Sequence, residues 1–437
     1  MSERVKLHWE PNFGAYGGRK SRQAFTYSAY VPDPIRSLVL VLPGDVAEAL
    51  NVAEVAIREL NAAPPEHDNI ENLARMLLRQ EAVASSRIEQ LEVSHRRLAR
   101  AAFAAKPAVD VTAESILRNI AAMERAVELG MRATPGPRVA DLLALHRELM
   151  PGGGHLRTEQ NWVGGVASSP RSAEFVPPPP DRVRPLLEDL CAFCTRDDLP
   201  AVAQAAIVHA QFETIHPFAD GNGRVGRCLI HVMLRRRGLA SRYVLPISLI
   251  LAANSKAYIG GLTEFRDGQV AEWCATFAAA ARSAARQAQR FAEEVASLKQ
   301  AWRARAGEPR KDSAALKVIG ALPAHPILDV ATAQTLARCS NQAARLAMRA
   351  LEKAGVIKRI NVGRRNRAWE AVGVFELLGA FERELSTRRS YPEFPDNCLG
   401  RQDLRHQAAA RNSVTPPRRA VHRRRPQPSF ASPRGSR

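Results

Sequence analysis

Cysteine is scarce in this chain: six residues in 437, at 191, 194, 228, 274, 339 and 398, with no framework spacing among them. That excludes a small scaffold stapled by disulfides, and a reducing cytoplasm is the expected setting. No apolar run approaches the roughly 18–20 residues that a membrane-spanning helix requires, and no charged-then-apolar leader opens the chain. No internal repeat is present, which excludes a solenoid. Acidic residues are in short supply, 44 against 63 basic, for a formal charge of +19. Much of that excess is local, because residues 388–437 hold 12 Arg against 3 acidic residues. With 46% hydrophobic residues the chain has ample material for a core, and its length points to two or more domains.

Residues 1–43 are polar and broken by Pro and Gly. They end in the extended-looking AYVPDPIRSLVLVLPG, where proline and β-branched residues disfavour helix. Helical periodicity follows over 45–62, 68–92, 112–130 and 138–149, with Ile70, Leu73 and Leu77 as an example of the spacing. Residues 152–180 turn to Gly, Pro and Ser around Trp162, Val163, Phe175 and Val176, which suits a loop and a short hairpin. Helices are expected again over 181–196, 199–214, 222–237 and 264–306, followed by a linker at 307–313. The domains expected are an extended segment at 1–43, helices at 44–135, a core at 136–306, a module at 312–385, and a disordered Arg/Pro-rich tail at 388–437.

The most informative stretch is QFETIHPFADGNGRVGRCLIHVML, residues 211–234. One helix ends near Thr214, a Gly/Asn loop follows, and another helix begins near Gly223. The first turn of that helix presents unpaired N–H groups and a positive dipole end, a combination that binds phosphate. Gly221 and Gly223 let the backbone approach the anion closely. Asp220 offers the hard oxygen that Mg²⁺ favours, and Asn222 can donate to an α-phosphate oxygen. Arg224 and Arg227 lie three apart and can reach outer phosphate oxygens. His216, with an ordinary imidazole pKa near 6.5, suits removal of a hydroxyl proton. Phosphoryl or nucleotidyl transfer is the chemistry these residues point to.

The same residues resemble the Fic family motif His-Pro-Phe-x-Asp/Glu-Gly-Asn-Gly-Arg-x-x-Arg at all nine fixed positions. The resemblance implies a mainly α fold, a Fic-type helical bundle with a small β-hairpin flap, and the element order further on adds the expectation of a winged-helix domain after it. It implies that His216 is the general base, Phe218 anchors the loop, Asp220 holds Mg²⁺, Gly221, Asn222 and Gly223 form the anion hole, and Arg227 takes the γ-phosphate of ATP. Asp220 and Gly223 together look like the AMP-transferring branch. NSKAYIGGL keeps the family's Asn254, Tyr258 and Leu262, near where the family holds adenine, with Ile259 replacing a second Tyr. HLRTEQNWVGG and AEFVPPPP look like the flap that receives a target segment.

EAVASSRIEQLEVS, residues 81–94, resembles the family's inhibitory signature at Ser85 and Glu89, with Gln90 where Gly or Asn is usual. The resemblance implies that Glu89 pairs with Arg227 and takes the γ-phosphate's place. The expected activity is transfer of AMP from MgATP to a Ser, Thr or Tyr hydroxyl of another protein or of the chain itself, autoinhibited by Glu89. Removal of AMP, or another transfer from the same site, is the rival within enzymes. A DNA-binding regulator with a nucleotide-sensing core is the rival outside them.

Residues 312–372 read as three short helices and a hairpin, in the order of a winged helix-turn-helix, with 12 basic residues against 5 acidic over 308–372. Gln342, Arg345 and Arg349 on the third helix would face a major groove of duplex DNA, while Arg364, Arg365 and Arg367 on the wing would meet phosphates. No membrane partner is expected, and self-association stays open. Cys191 and Cys194 read as part of a buried helix face rather than a metal site, and His209 and His231 as core or rim residues.

Overall fold

The computed structural model describes residues 2–10, 23–62, 70–103, 110–132, 135–166, 169–362 and 366–386. The expected tail and the wing residues Arg364 and Arg365 lie outside them. The structure is mostly helical, as the periodicity predicts. An antiparallel hairpin, β1 (Glu3–Trp9) and β2 (Phe25–Val31), opens the chain. Of the extended-looking stretch, only its first residues are strand; from Pro32 to Pro43 the segment has no ladder partner. There Leu38, Leu40 and Leu42 pack against the core while Val39 and Val41 are exposed.

The helices that follow are α1 (Gly44–Ala62), α2 (Ile70–Ile88), α3 (His95–Phe103), α4 (Val111–Met131), α5 (Val139–Leu149), α6 (Pro180–Phe193), α7 (Ala201–Ile215) and α8 (Asn222–Arg236). Next come α9 (Ile247–Ala253), α10 (Ser255–Arg266) and α11 (Val270–Arg305). Helices α3 and α9 and most of α10 were not anticipated, and the helix expected at 264–306 is divided, its first three residues closing α10. Its break falls at Asp267-Gly268-Gln269, where Gly268 adopts φ 84° and terminates α10 as a helix C-terminus commonly does.

Helix α7, AVAQAAIVHAQFETI, is apolar on nearly every face and is buried along almost its whole length. A helix of that composition has to lie inside the bundle, and α1, α6, α8, α10 and α11 pack around it. Alanine-rich α11 buries Trp273, Phe277, Phe291 and Trp302 along its 36 residues. Cys191 on α6 and Cys194 at its C-cap are free thiols, with Cys194 buried.

The C-terminal module comprises α12 (Ala314–Ala321), β3 (Ile327–Leu328), α13 (Val330–Ala337), α14 (Asn341–Lys353), β4 (Ile357–Val362), β5 (Asn366–Ala371) and α15 (Val374–Ser386). Its strands form an antiparallel sheet in the order β3-β5-β4. Side chains cap its helices at Ser313, Asp329 and Ser340, each accepting from a backbone N–H three residues on. The linker expected at 307–313 does not separate the module from the bundle: Trp302 Nε1 donates to Val372 O at 2.9 Å and Phe291 packs on Phe381.

What positions the site is the seating of α2. Glu81 is fully buried; its Oε1 accepts from Ser248 Oγ at 2.6 Å and pairs with His231 Nε2 at 2.9 Å, and its Oε2 accepts from Ser248 N at 2.8 Å. Asn119 on α4 donates to Ala82 O and Ser86 Oγ. Removing one member of such a buried network strands the others. Glu81→Ala should therefore lower stability by about 2–4 kcal/mol, read as a lower urea midpoint; an unchanged midpoint would contradict the assigned network.

Candidate active site

Helix α7 ends in a turn that places His216 in the left-handed region (φ 49°, ψ 60°), with its N–H bonded to Phe212 O at 2.9 Å. A non-glycine residue held there signals a constraint imposed by its surroundings. The constraint is visible: Arg157 Nε donates to His216 O at 2.9 Å and Arg157 N to Pro217 O at 3.0 Å. The same buried guanidinium reaches Glu159 O and Pro178 O, so one side chain ties the flap to the histidine loop. Burial pulls the Arg157 pKa down to about 10.

The loop closes on Asn222. Its Oδ1 accepts from Phe218 N and its Nδ2 donates to Phe218 O, both at 2.8 Å, while the Phe218 ring is fully buried. The Asn222 carboxamide thus holds the loop, and the backbone N–H groups of Asn222, Gly223 and Arg224 lie in the first turn of α8. Gly221 (φ 78°) precedes that turn. His146 was not anticipated. Its Nδ1 accepts from Gly154 N at 3.0 Å, so Nε2 carries the proton and donates to Asp220 O at 3.1 Å, while the ring stacks on Phe218 at 3.8 Å.

Asp220 is exposed, and its Oδ1 accepts from Gly221 N at 2.6 Å. Among the described residues, no group of three or more His, Cys, Asp or Glu forms a metal cage. A single hard carboxylate fits a Mg²⁺ ion that keeps waters and phosphates as its other ligands.

His216 is half-buried, and its Nδ1 is buried. Burial, reinforced by the Arg157 charge, lowers its pKa to about 4, below the ordinary value near 6.5 expected from sequence. The imidazole is neutral at pH 7.

Arg227 is 1% exposed. Its Nε donates to Ser85 Oγ at 2.8 Å and its Nη2 donates to Ser85 O at 2.9 Å and to Glu89 Oε1 at 2.6 Å. Burial alone would lower its pKa, but the Glu89 carboxylate outweighs it and raises the value; Glu89 is held low in return against its own burial. A Cβ added at Gly223 would lie 2.1 Å from Glu89 Oε1. The carboxylate therefore sits on the start of α8, where an anion belongs.

Glu89 lies just beyond the last turn of α2 rather than within a helix running to 92. Leu91 N donates to Ser86 O and Gln90 N to Arg87 O, a Schellman closure with Gln90 at φ 61°. This backbone suits Gly or Asn, and Gln90 bears about 1–2 kcal/mol of strain there.

Residues 137–234 match the Fic/DOC family model and residues 47–128 match the Fic/DOC family N-terminal model. Over these residues the chain carries a Fic/DOC domain and the N-terminal domain that goes with it. A probable protein adenylyltransferase of Aquifex aeolicus (strain VF5) is 35% identical over 99 residues, 22% of this chain and 28% of the relative. The protein adenylyltransferase fic-1 of Caenorhabditis elegans is 26% identical over 136 residues, 29% of this chain and 25% of the relative. The chain thus spans about a quarter of the length of these relatives. A crystal structure of a Fic family protein from Desulfovibrio desulfuricans G20 aligns with 76% of this chain and 98% of its own, at 21% identity and a TM-score of 0.47.

Two expected nucleotide contacts in the Fic site sit differently. Arg224 is 4% exposed and turned toward α4, where its Nη1 donates to Ser115 Oγ at 3.0 Å. Tyr258 is buried, its hydroxyl 2.9 Å from His209 Nε2, so it supports the floor of the site from within. Asn254, between α9 and α10, is half-buried and donates to Ile250 O. The Fic flap is narrow, with bridges at Val163–Phe175 and Val166–Ser169, and Tyr30 N of β2 donates to Val176 O beside it. Sequence signals for Arg157 and His146 were slight: a lone Arg in a Gly/Pro-rich stretch, and a His on a helical face.

The histidine pKa is directly testable. In NMR spectra of the full chain, the His216 ring resonances should not titrate between pH 8 and pH 5, since the neutral form persists until about 4. A midpoint near 6.5 would contradict the assigned burial.

Proposed function

We propose that this Fic protein transfers AMP from MgATP to a protein hydroxyl and that Glu89 restrains the reaction. The observation that carries this reading is the Glu89 carboxylate resting over Gly223 and bonded to Arg227 at 2.6 Å: a built anion site, with its own occupant, beside a neutral histidine. In the proposed step the hydroxyl oxygen forms a bond to the α-phosphorus while the bond from that phosphorus to the β-bridging oxygen breaks, releasing pyrophosphate. His216 Nε2 takes the hydroxyl proton. Asp220 would hold Mg²⁺, which when bound would supply charge neutralisation on the leaving group. The N–H groups opening α8 stabilise charge at the transferring phosphorus. Arg227, freed from Glu89, receives the outer phosphate; with Glu89 in place, ATP is displaced into an unproductive pose.

Ser, Thr or Tyr as acceptor, self-modification, and the reverse removal of AMP share this geometry. ATP labelled at the α- or the γ-phosphorus separates AMP transfer from phosphate transfer. Label from the α-position should enter protein, and Glu89→Gly should raise that incorporation about tenfold or more, the effect of about 1.4 kcal/mol. His216→Ala should lower it by about 10²–10⁴. Transfer of γ-label instead would indicate a kinase, and neither label would sink the transferase reading.

We further propose that the C-terminal module is a winged helix that binds duplex DNA. What favours this is that Gln342, Arg345 and Arg349 lie exposed on α14 and Arg367 is exposed on β5. Duplex affinity should fall steeply with salt, the logarithmic slope being about 0.9 per phosphate neutralised, and Arg349→Ala should weaken binding. Salt-insensitive or undetectable binding would assign the module to protein contacts.

A further inference from the structure

Release of Glu89 has to be reconciled with the rigidity of α2. Its body is fixed by Glu81 to His231 and Ser248, by Asn119 to Ala82 O and Ser86 Oγ, and by Ser85 to Arg227. Moving the whole helix would break all of these buried bonds together. Beyond the Glu89–Arg227 pair itself, the turn from Glu89 to Ser94, between the end of α2 and the start of α3, is held by its own backbone bonds and by the packing of Leu91 and Val93.

Both ends of that turn are held by one carboxylate from the C-terminal module. Glu382 on α15 accepts from Arg87 Nη2 at 2.8 Å through Oε2 and pairs with His95 Nε2 at 2.8 Å through Oε1. Arg87 is two residues before Glu89, and His95 is the first residue of α3. The Glu382 side chain is only 14% exposed, which weakens solvent screening of the cluster. Burial alone would raise its pKa, yet His95 and Arg87 outweigh it and hold the carboxylate below its ordinary value.

The module grips α3 again one residue later. Arg96 donates to both oxygens of Glu370 on β5, at 3.0 and 3.1 Å, and to Glu376 at 3.2 Å, and lies over the Phe375 ring. Glu370, 2% exposed, is completed by Lys358 at 2.9 Å. The first half of α2 is held as well, through Asn72 Nδ2 to Gly320 O and Arg79 Nη1 to Ala324 O, both at 2.9 Å. Helix α15 itself is fixed to α11, with Phe381 packed on Phe291 at 4.5 Å and Arg290 paired with Glu384 at 2.9 Å.

We propose that the C-terminal module latches the inhibitory turn through Glu382, so that inhibition by Glu89 holds only while α15 keeps both Arg87 and His95. The proposal rests on the reading of Glu89 as a brake. A ligand or partner that shifts α15 would free the turn without disturbing the nucleotide site, and occupancy of the C-terminal module would thereby set the enzyme's rate.

The test uses the full chain as wild type, Glu89→Gly, Glu382→Gln, Arg87→Met and the Glu89→Gly/Glu382→Gln pair, each with α-labelled MgATP. Glu382→Gln and Arg87→Met should each raise self-labelling by about three- to tenfold, with Arg87→Met deciding the outcome should Glu382→Gln fail to fold. In the Glu89→Gly background, Glu382→Gln should add nothing, as expected of two changes acting through one contact. Hydrogen exchange should speed up about tenfold at amides 89–94 in Glu382→Gln. If Glu89→Gly activates while both latch variants stay at the wild-type rate, the latch is wrong and the brake stands. If Glu89→Gly itself changes nothing, the brake falls and takes the latch with it. Equal activation by Glu382→Gln with and without Glu89, or unchanged exchange at 89–94, also overturns the latch.

Discussion

A guanidinium buried at the start of a helix has to have an anion. Arg227 is almost without solvent, and the neutral Ser85 hydroxyl and carbonyl beside it cannot balance its charge. Glu89 supplies the balance at 2.6 Å, over the glycine where a side chain would otherwise stand. On the proposed function, this requirement gives the site two natural states, one with the carboxylate in place and one with a phosphate. Neither leaves the cation bare, so exchange between them costs far less than opening an empty site would.

The remaining architecture keeps the two partners in register. Arg227 is fixed by α8, whose start is set by the Asn222–Phe218 loop closure and by His146 under Asp220. Glu89 is fixed by α2, whose buried Glu81 network ties it to α8 and α9. On the proposed latch, opposing networks of this kind let a short turn, rather than a whole helix, be the moving part. The strained Gln90 at the apex of that turn is consistent with such a role, because strain stored at a hinge narrows the energy gap between its two conformations.

Several elements were legible from residue order alone. The helix–loop–helix around His216–Arg227 follows from a buried apolar helix, a Gly/Asn loop and a second amphipathic run, and it is found within a residue or so of the expected limits. Other features resisted. Helix α3 is short and polar, with only Leu98 buried, so its periodicity offers too few apolar positions to detect. Helices α9 and α10 abut at Asn254 without a Pro or Gly between them, and the break before α11 rests on the one glycine at 268. The pKa of His216 could not be read from its identity, because it depends on burial beneath the flap and on Arg157.

The order of residues by itself determined the chemistry on offer: an imidazole before proline, a carboxylate, a glycine-lined helix start and an arginine three residues on, since these functions arise from neighbours within one loop and one turn. Tertiary structure alone decided which groups are spent on holding the site and which remain free. Asn222, Arg224 and Tyr258 are drawn into internal bonds, while Arg157, His146 and Glu382 acquire roles that no local pattern marks. The physical reason is distance along the chain. Hydrogen bonds and ion pairs between residues 138 or 295 positions apart depend on how helices pack, and packing is a property of the whole assembly of faces rather than of any one segment.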